Sequence, residues 1–339
     1  MMRRAIMRVT YQGKDITKDL AAYLLSASYT DHAGGMSDDL TIRLRDDEGL
    51  WKGDWLPQPT ERVEAVLVAT DWHGPKDNHE LRLGSFEVDE VRFSGAPDVV
   101  EIKASSAFVT QALRQESRSR GWKSTSLKAV AGQIAKEAKI SLDWQAPTAC
   151  TFERLDQRDE SDLSFMDRLC RERSLELKVH DAKLVVYSPK EQEAQAPAMT
   201  IERGVATLSG YSLAYRTSGT YRACAVTWRN ADKAEDQLHT FRPADAPAVG
   251  QTLNVQGRVE SLAEAQERAR AELREANKEA LSGDIPLMGE PGLAAGMVVN
   301  LKGFGSFDKP NWFIEQCVHS LDASGGYRTD LSIRKILEY

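Results

Sequence analysis

The sequence has little of what most function classes require. Its four cysteines, Cys150, Cys170, Cys224 and Cys317, lie far apart without a CxxC pair, which argues against a zinc ribbon or a disulfide scaffold and leaves reduced, buried thiols as the expectation. No stretch approaches the ~18 consecutive apolar residues of a spanning helix. The N-terminal MMRRAIMRVTYQGKDIT has no apolar run of the roughly 7–15 residues found in a signal peptide. The chain is therefore expected to stay in the cytoplasm where it is made, without direct membrane insertion. Basic excess is also missing: 44 Lys+Arg against 51 Asp+Glu gives −7, the wrong sign for a surface that coats nucleic acid.

Catalytic signatures are equally scarce. There is no GxGxxG and no GxxxxGKS/T, and Gly303-Phe304-Gly305 lacks the third glycine and the following helix of a dinucleotide loop. HExxH and GxSxG are absent. His32, His73, His79, His180, His239 and His319 are scattered, and the nearest pair, His73 and His79, sits in a loop of turn residues read as solvated. Asp46-Asp47-Glu48-Gly49 lacks the alternate ligands of a calcium loop and is read as a tight turn. Asp156, Asp159, Glu160 and Asp162 precede a helix, where carboxylates stabilise the dipole and cap free amides. No catalytic, cofactor-binding or metal-ligating residue is nominated, and the chain is not expected to be an enzyme.

What is present is a globular chain of 339 residues, 41% hydrophobic and 28% charged, with a mean hydropathy of −0.46. At roughly 150 residues per domain this is two or three domains. Residues 1–105 read as strands. Leu40, Ile42 and Leu44 alternate with Thr41, Arg43 and Arg45. Val63 to Ala69 is apolar on both faces, as in a strand covered on each side. Phe86 to Phe93 is expected to pair with Val99 to Ala104 across Ser94–Asp98, with a bulge between Val88 and Val91 where the apolar phase slips.

From about Ser124 the period becomes helical, with Leu127, Val130, Ala131, Ile134, Ala135 and Ala138 on one face. A second helix follows Asp159 or Ser161 as cap, with Leu163, Met166, Leu169 and Cys170 on one face. Leu175 to Val179 and Leu184 to Tyr187 form a hairpin around His180-Asp181-Ala182-Lys183. Residues 106–188 thus form an α+β domain, and 189–199 a linker or exposed loop without apolar periodicity. Strands return at Val205 to Leu213 and Tyr221 to Trp228, followed by a loop-like stretch from Asn230 to Gln251. Ser261 then opens a capping box with Glu264. Leu262, Ala265, Ala269, Leu273, Ala276 and Ala280 make a narrow stripe ending at Gly283, read as packing on the helix's own sheet. Strands at Met297 to Leu301, Trp312 to Val318 and Tyr327 to Ile333 close the 200–339 domain. Phe86-x-Val88-Asp89 leading to Val100-Glu101-Ile102 is echoed by Trp312-x-Ile314-Glu315 leading to Leu331-Ser332-Ile333, an internal similarity of the two ends.

Four stretches carry a resemblance. They are Tyr29-Thr30-Asp31 through Ser37 to Leu44 and on to Asp46, Gly49-Leu50-Trp51 and Trp55-Leu56-Pro57; Leu83 to Glu90 with Ser94-Gly95 and Pro97; Gln157 with Glu160 to Met166 and Leu169; and Ala265 to Asn277 followed by Gly289, Gly292, Ala295-Gly296, Leu301, Gly303-Phe304-Gly305, Val318-His319, Gly326-Tyr327 and Thr329. In this order the chain resembles the late control protein D family, the baseplate hub proteins of contractile-tailed phages and tail-like bacteriocins, and the hub part of the type VI secretion protein VgrG. The resemblance implies a β-rich α+β fold: two related tube-protein-like β-barrel domains, residues 1–105 and 200–339, with an α/β domain between them and a long helix at about 261–281 in the second.

It further implies a structural homotrimer whose six barrels form a ring joining the tail tube protein to a central spike protein, with tape-measure and baseplate wedge proteins as further neighbours. Assembly is expected in the bacterial host cytoplasm and residence in the baseplate. The stop near Tyr339 implies a separate spike and leaves no room for a fused lysozyme domain. Leu40 to Arg45 and Tyr327 to Arg334 are the strands expected at inter-chain edges, and inter-chain contacts are expected on the barrel strands and the Ser261–Ala280 helix. The alternative is a peptidoglycan-binding or peptidoglycan-cleaving tail protein, because the helix around 125–145 resembles that of a small cell-wall-binding module.

Overall fold

The computed structural model describes residues 3–339 apart from 36, 107–112, 114–115, 147–149, 181–182, 206, 231–234, 245, 247–249 and 260. The first segment holds β1 (Arg4–Tyr11), β2 (Lys14–Asp15), the one-turn helix α1 (Thr17–Ala21), β3 (Leu24–His32), β4 (Asp39–Arg45), β5 (Arg62–Thr70), β6 (His79–Ser94) and β7 (Val99–Ser106). Period-2 alternation sets its inner face: Leu40, Ile42 and Leu44 are buried while Arg43 and Arg45 are exposed. With Leu67, Phe86, Val100 and others they make one core, each full burial of such a side chain contributing about 1.5–3 kcal/mol. β5 departs from expectation. Val63, Ala65, Leu67 and Ala69 are buried, but Val66 and Val68 are only half-covered, because nothing packs fully over the outer face of the sheet.

The middle segment holds β8 (Ser117–Ser126), α2 (Leu127–Glu137), β9 (Ser141–Gln145), β10 (Thr151–Ser161), α3 (Asp162–Glu172), β11 (Glu176–His180) and β12 (Lys183–Tyr187). Ser126 caps α2 and Ser161 caps α3, each hydroxyl accepting from the backbone N–H three residues on. Leu127, Val130, Ala131, Ile134 and Ala135 of α2 meet Phe165, Met166, Leu169 and Cys170 of α3 in a second core. Leu163, expected on that face, is only half-buried, and Phe165 takes the buried place instead. The hairpin β11–β12 forms as expected, with Asp181 and Ala182 of its turn outside the described residues.

The expected linker is corrected in its first half, while residues 194–198 are an exposed loop as expected. Pro189–Glu193 is a short helix, α4, with Pro189 and Glu193 both buried. A lack of apolar periodicity signals no amphipathic helix, but it does not reveal a buried charge that has partners elsewhere in the chain.

The last segment holds β13 (Met199–Glu202), β14 (Ser212–Tyr215), β15 (Tyr221–Asn230), β16 (Glu235–Phe241), β17 (Gln251–Val259), α5 (Leu262–Asn277), β18 (Leu281–Met288), β19 (Val298–Lys302), β20 (Trp312–Asp322) and β21 (Gly326–Lys335). Three expectations change here. The strand expected over Val205–Leu213 is β14, with only a bridge between Leu208 and Leu287 before it. The stretch expected to be loop-like contains β16. α5 ends at Asn277, so Gly283 lies in β18 rather than at a helix terminus. Ala265, Ala269 and Leu273 of α5 pack with Cys224, Val226 and Val259 into a separate core over the three-stranded sheet β16-β15-β17, so the alanine stripe does serve its own sheet.

The strands of the first segment and the other strands of the last belong to one thirteen-stranded sheet that runs β14-β18-β21-β20-β3-β4-β7-β6-β5-β1-β2, with β19 and β13 off β20, whereas β10-β8 and β11-β12-β9 form separate sheets. Within it the strand order β1-β5-β6-β7-β4-β3 is repeated by β13-β19-β20-β21-β18-β14, matched strand for strand in chain order. The repeat extends to detail. The β6–β7 register slips between Val88 and Glu90, leaving Asp89 as the extra residue, and the β20–β21 register slips between Ile314 and Gln316, leaving Glu315. The copies differ where β1 pairs antiparallel with β5 but β13 pairs parallel with β19.

Candidate assembly surfaces

The two β modules share a seam. β3 pairs antiparallel with the part of β20 beyond its bulge, from Gln316 opposite His32 to Asp322 opposite Ser26. Leu321 and Tyr327 of the second module enter the first module's core. Under the seam His319 is buried. Its Nδ1 lies 2.7 Å from the Tyr327 hydroxyl and its Nε2 3.1 Å from the Leu293 carbonyl, with the ring stacked on Tyr29 at 6.4 Å. Burial pushes the imidazole down to about 4, so it is neutral, donating from Nε2 and accepting at Nδ1.

Cys317 Sγ is 3.3 Å from that Nε2. This is a cysteine–histidine pair that period-2 spacing on one strand already implied and the sequence reading passed over. Burial raises the thiol and lowers the imidazole, the reverse of what a thiolate nucleophile requires. Cys170 and Cys224 are buried as expected, and Cys150 is only half-buried.

A buried ionic cluster joins three segments. Asp38 accepts from the His32 N–H at 3.1 Å and the Tyr29 hydroxyl at 3.1 Å, and lies 2.8 Å from His180 Nδ1 and 3.3 Å from Lys178 Nζ. Lys178 also reaches Asp31 at 2.5 Å, whose other oxygen accepts from the Ala295 N–H at 2.8 Å. Burial raises the Asp31 carboxyl. Burial works the same way on Asp38, but the His180 hydrogen bond and the Lys178 ammonium outweigh it and hold this carboxyl below its usual range. First module, middle hairpin and second module meet at this point. A second network does the same for α4: Glu193 binds Arg334 at 2.7 Å and also Arg274, while Arg334 binds Glu315.

The sequence-level candidates resolve into structure. Asp46 forms the expected turn, its carbonyl accepting from Gly49 and its carboxylate from Trp51. Asp162 is buried in the first turn of α3 against Arg120 at 2.6 Å and Arg118 at 3.1 Å. Asp156 pairs with Arg154 and Arg158, and Glu160 with Arg168. These carboxylates are each neutralised by arginine rather than opposed across a cleft, and Asp156, Asp159 and Glu160 lie in β10 rather than in the helix. Sequence reading missed Asp31, Asp38, Lys178 and Glu193, whose partners lie up to 264 residues away in the chain.

A sequence profile of the phage tail baseplate hub (GPD) family matches residues 82–325, well over half of the chain. The chain belongs to the phage tail baseplate hub family. Probable baseplate hub proteins of Escherichia phages 186 and P2 are 28% identical over 247 residues and 30% identical over 236 residues, covering 69% and 68% of this chain. The chain spans just over half the length of these relatives, 56% and 55%.

The hub fold is shared with a Neisseria meningitidis tail protein (TM-score 0.74, 12% identity, 98% of this chain and 96% of that one). It is also shared with an Escherichia coli component of the type VI secretion system (0.59, 11%, 99% and 77%) and with a chain of the Francisella PdpA–VgrG complex (0.63, 10%, 99% and 53%). Among the described residues no helix of this hub chain is long and apolar enough to cross a membrane.

The edge assignment changes. β4 pairs with both β3 and β7, and β21 with both β20 and β18, so the two strands expected at inter-chain edges are interior. Among the described strands, β14 pairs only with β18, and beyond the bulge β6 pairs only with β7. Tyr215 is 68% exposed beside the first edge and Phe93 37% on the second.

Proposed function

We propose that this chain is the structural hub of a contractile tail, three copies forming a pseudo-six-fold ring that joins the tail tube to a central spike. The observation that carries this reading is the repeated strand order with its matched bulges at Asp89 and Glu315. It supports two tube-like β-barrel modules per chain, residues 1–105 and 200–339, with the α/β domain 106–188 between them and residues 221–277 inserted into the second. A ring of six equivalent modules needs six equivalent seams, and three of them lie inside chains as β3 against the distal half of β20. By strand correspondence the other three are β14 of one chain against Glu90–Ser94 of β6 in the next. Such a heterologous contact closes into a ring when its rotation matches the internal one.

The hub so described works by symmetry matching and load bearing and is not an enzyme. Its partners are a second and third copy, the tube protein and a spike protein, with tape-measure and wedge proteins around them. It is made in the host cytoplasm and carried in the baseplate. The helix that suggested cell-wall binding buries its apolar face in its own core, leaving that face no sugar to hold.

Native mass spectrometry of the purified chain, alone and with the cognate spike protein, tests the reading. A three-chain species, or a monomer that trimerises on adding spike, is expected. A monomer that ignores the spike and sediments with cell-wall sacculi overturns it.

A further inference from the structure

The β5–β6 loop and the first residue of β6 bring together His73, Asp77 and His79, whose ligand atoms all lie within 4.8 Å of one another. His79 Nε2 is 2.9 Å from Asp77 Oδ2, and the two imidazole rings meet edge to face at 5.7 Å. A fourth donor comes from the other module: Glu290 Oε1 lies 3.4 Å from His73 Nε2. The loop is already docked there, because Trp72 Nε1 donates to the Gly289 carbonyl at 2.5 Å. Its shape is held from within by Asp71 Oδ1 accepting from the Lys76 N–H and by Asp77 accepting from the Trp72 and His73 N–H groups.

We propose that His73, Asp77 and His79 bind one divalent cation of the zinc class, with Glu290 supplying the fourth ligand across the module boundary. The donor set selects the metal: imidazole suits zinc and its neighbours, whereas magnesium and calcium prefer all-oxygen shells. Zinc held tetrahedrally at about 2.0–2.2 Å places its ligand atoms about 3.4 Å apart. His73, Asp77 and His79 are exposed enough to rotate into that geometry, with side-chain exposures of 42%, 36% and 36%, whereas Glu290, at 17% exposed and outside their 4.8 Å group, has to swing from its contact with His73 toward the ion. The bound ion clips the β5–β6 loop of the first module to the β18–β19 connection of the second, beside the Trp72–Gly289 hydrogen bond. This site is independent of the hub reading, because it needs only one chain.

The test is calorimetric titration of zinc chloride into the full chain after dialysis against chelator. One site per chain is expected, with His73→Ala and His79→Ala each weakening binding at least about tenfold and Glu290→Gln less. Zinc should raise the melting temperature of the wild type and leave that of the double variant His73→Ala/His79→Ala unchanged. Cobalt(II) added to the wild type gives a second readout that needs no variant, with the intense visible absorption of a tetrahedral site expected. Absence of saturable uptake at about 0.1 mM free zinc, equal uptake by the double variant (an adventitious ion only), or a purely octahedral cobalt spectrum would each overturn the site.

Discussion

Glu193 of α4 and Arg334 of β21 are 2.7 Å apart, with side-chain exposures of 2% and 7%. The segment that follows β12 is thereby pinned to the β20–β21 sheet by a charge that has left water. Removing one partner of such a pair strands the other, a loss of about 3–5 kcal/mol, because the desolvation cost stays and the attraction goes. Glu193→Ala should lower the stability of the second module by that order, leaving Arg274 and Arg334 facing each other. Glu193→Gln, which keeps hydrogen-bond acceptance, should cost less. Denaturant titration followed by tryptophan fluorescence separates them, and equal stability of Glu193→Ala and wild type would contradict the assignment.

Asp38 of the first segment is tied to the β11–β12 hairpin of the middle segment through Lys178 and His180. Asp38→Ala is expected to destabilise by about 3–5 kcal/mol and to loosen this junction before either core melts. Limited proteolysis should then cut earlier between residues 106 and 187 than in the wild type. An unchanged cleavage pattern would assign the cluster no role in docking.

Two groups oppose each other in the pH dependence. Burial pushes His319 down to about 4 from 6.5, so below pH 6.5 the unfolded chain takes up a proton that the folded chain refuses. Stability therefore falls as pH drops from about 6.5 toward 4. Burial pushes Glu176 up to about 7 from 4.5, so the folded chain keeps a proton that the unfolded chain has released. Stability therefore falls as pH rises from about 4.5 to 7. Each effect is at most about 3 kcal/mol. Glu176→Gln should remove the loss on the alkaline side and leave the acid limb intact, as read by melting temperature across pH 4–8.

The proposed ring seam makes a charge-sensitive prediction. Tyr215→Glu and Phe93→Glu lie on exposed positions and should change folding stability by no more than about 0.5 kcal/mol. Each should weaken trimer association at least about tenfold, equivalent to about 1.4 kcal/mol. The combination Tyr215→Lys with Phe93→Glu should recover part of it, because strand correspondence sets Tyr215 opposite Val91 in the proposed seam and therefore diagonal to Phe93 on the same face. Sedimentation of all three variants decides the matter.

Strand alternation, the Ser261 capping box, Ser161 as one of two candidate caps, a bulge between Val88 and Val91 and the echo of Phe86–Asp89 in Trp312–Glu315 were readable along the chain. Each is a local property: side-chain period, amide capping or a phase slip acts over a few residues. The family resemblance was readable for the same reason, as ordered motifs. Tertiary structure alone decided which strands are edges, since β4 and β21 carry the same alternation whether or not a neighbour pairs with them. It also decided that Glu193 is buried in a segment that reads as linker, and that Asp31, Asp38, Lys178 and His180 converge. A buried charge is tolerable only if its partner arrives, and these partners arrive from segments far apart in sequence, through folding of the whole sheet.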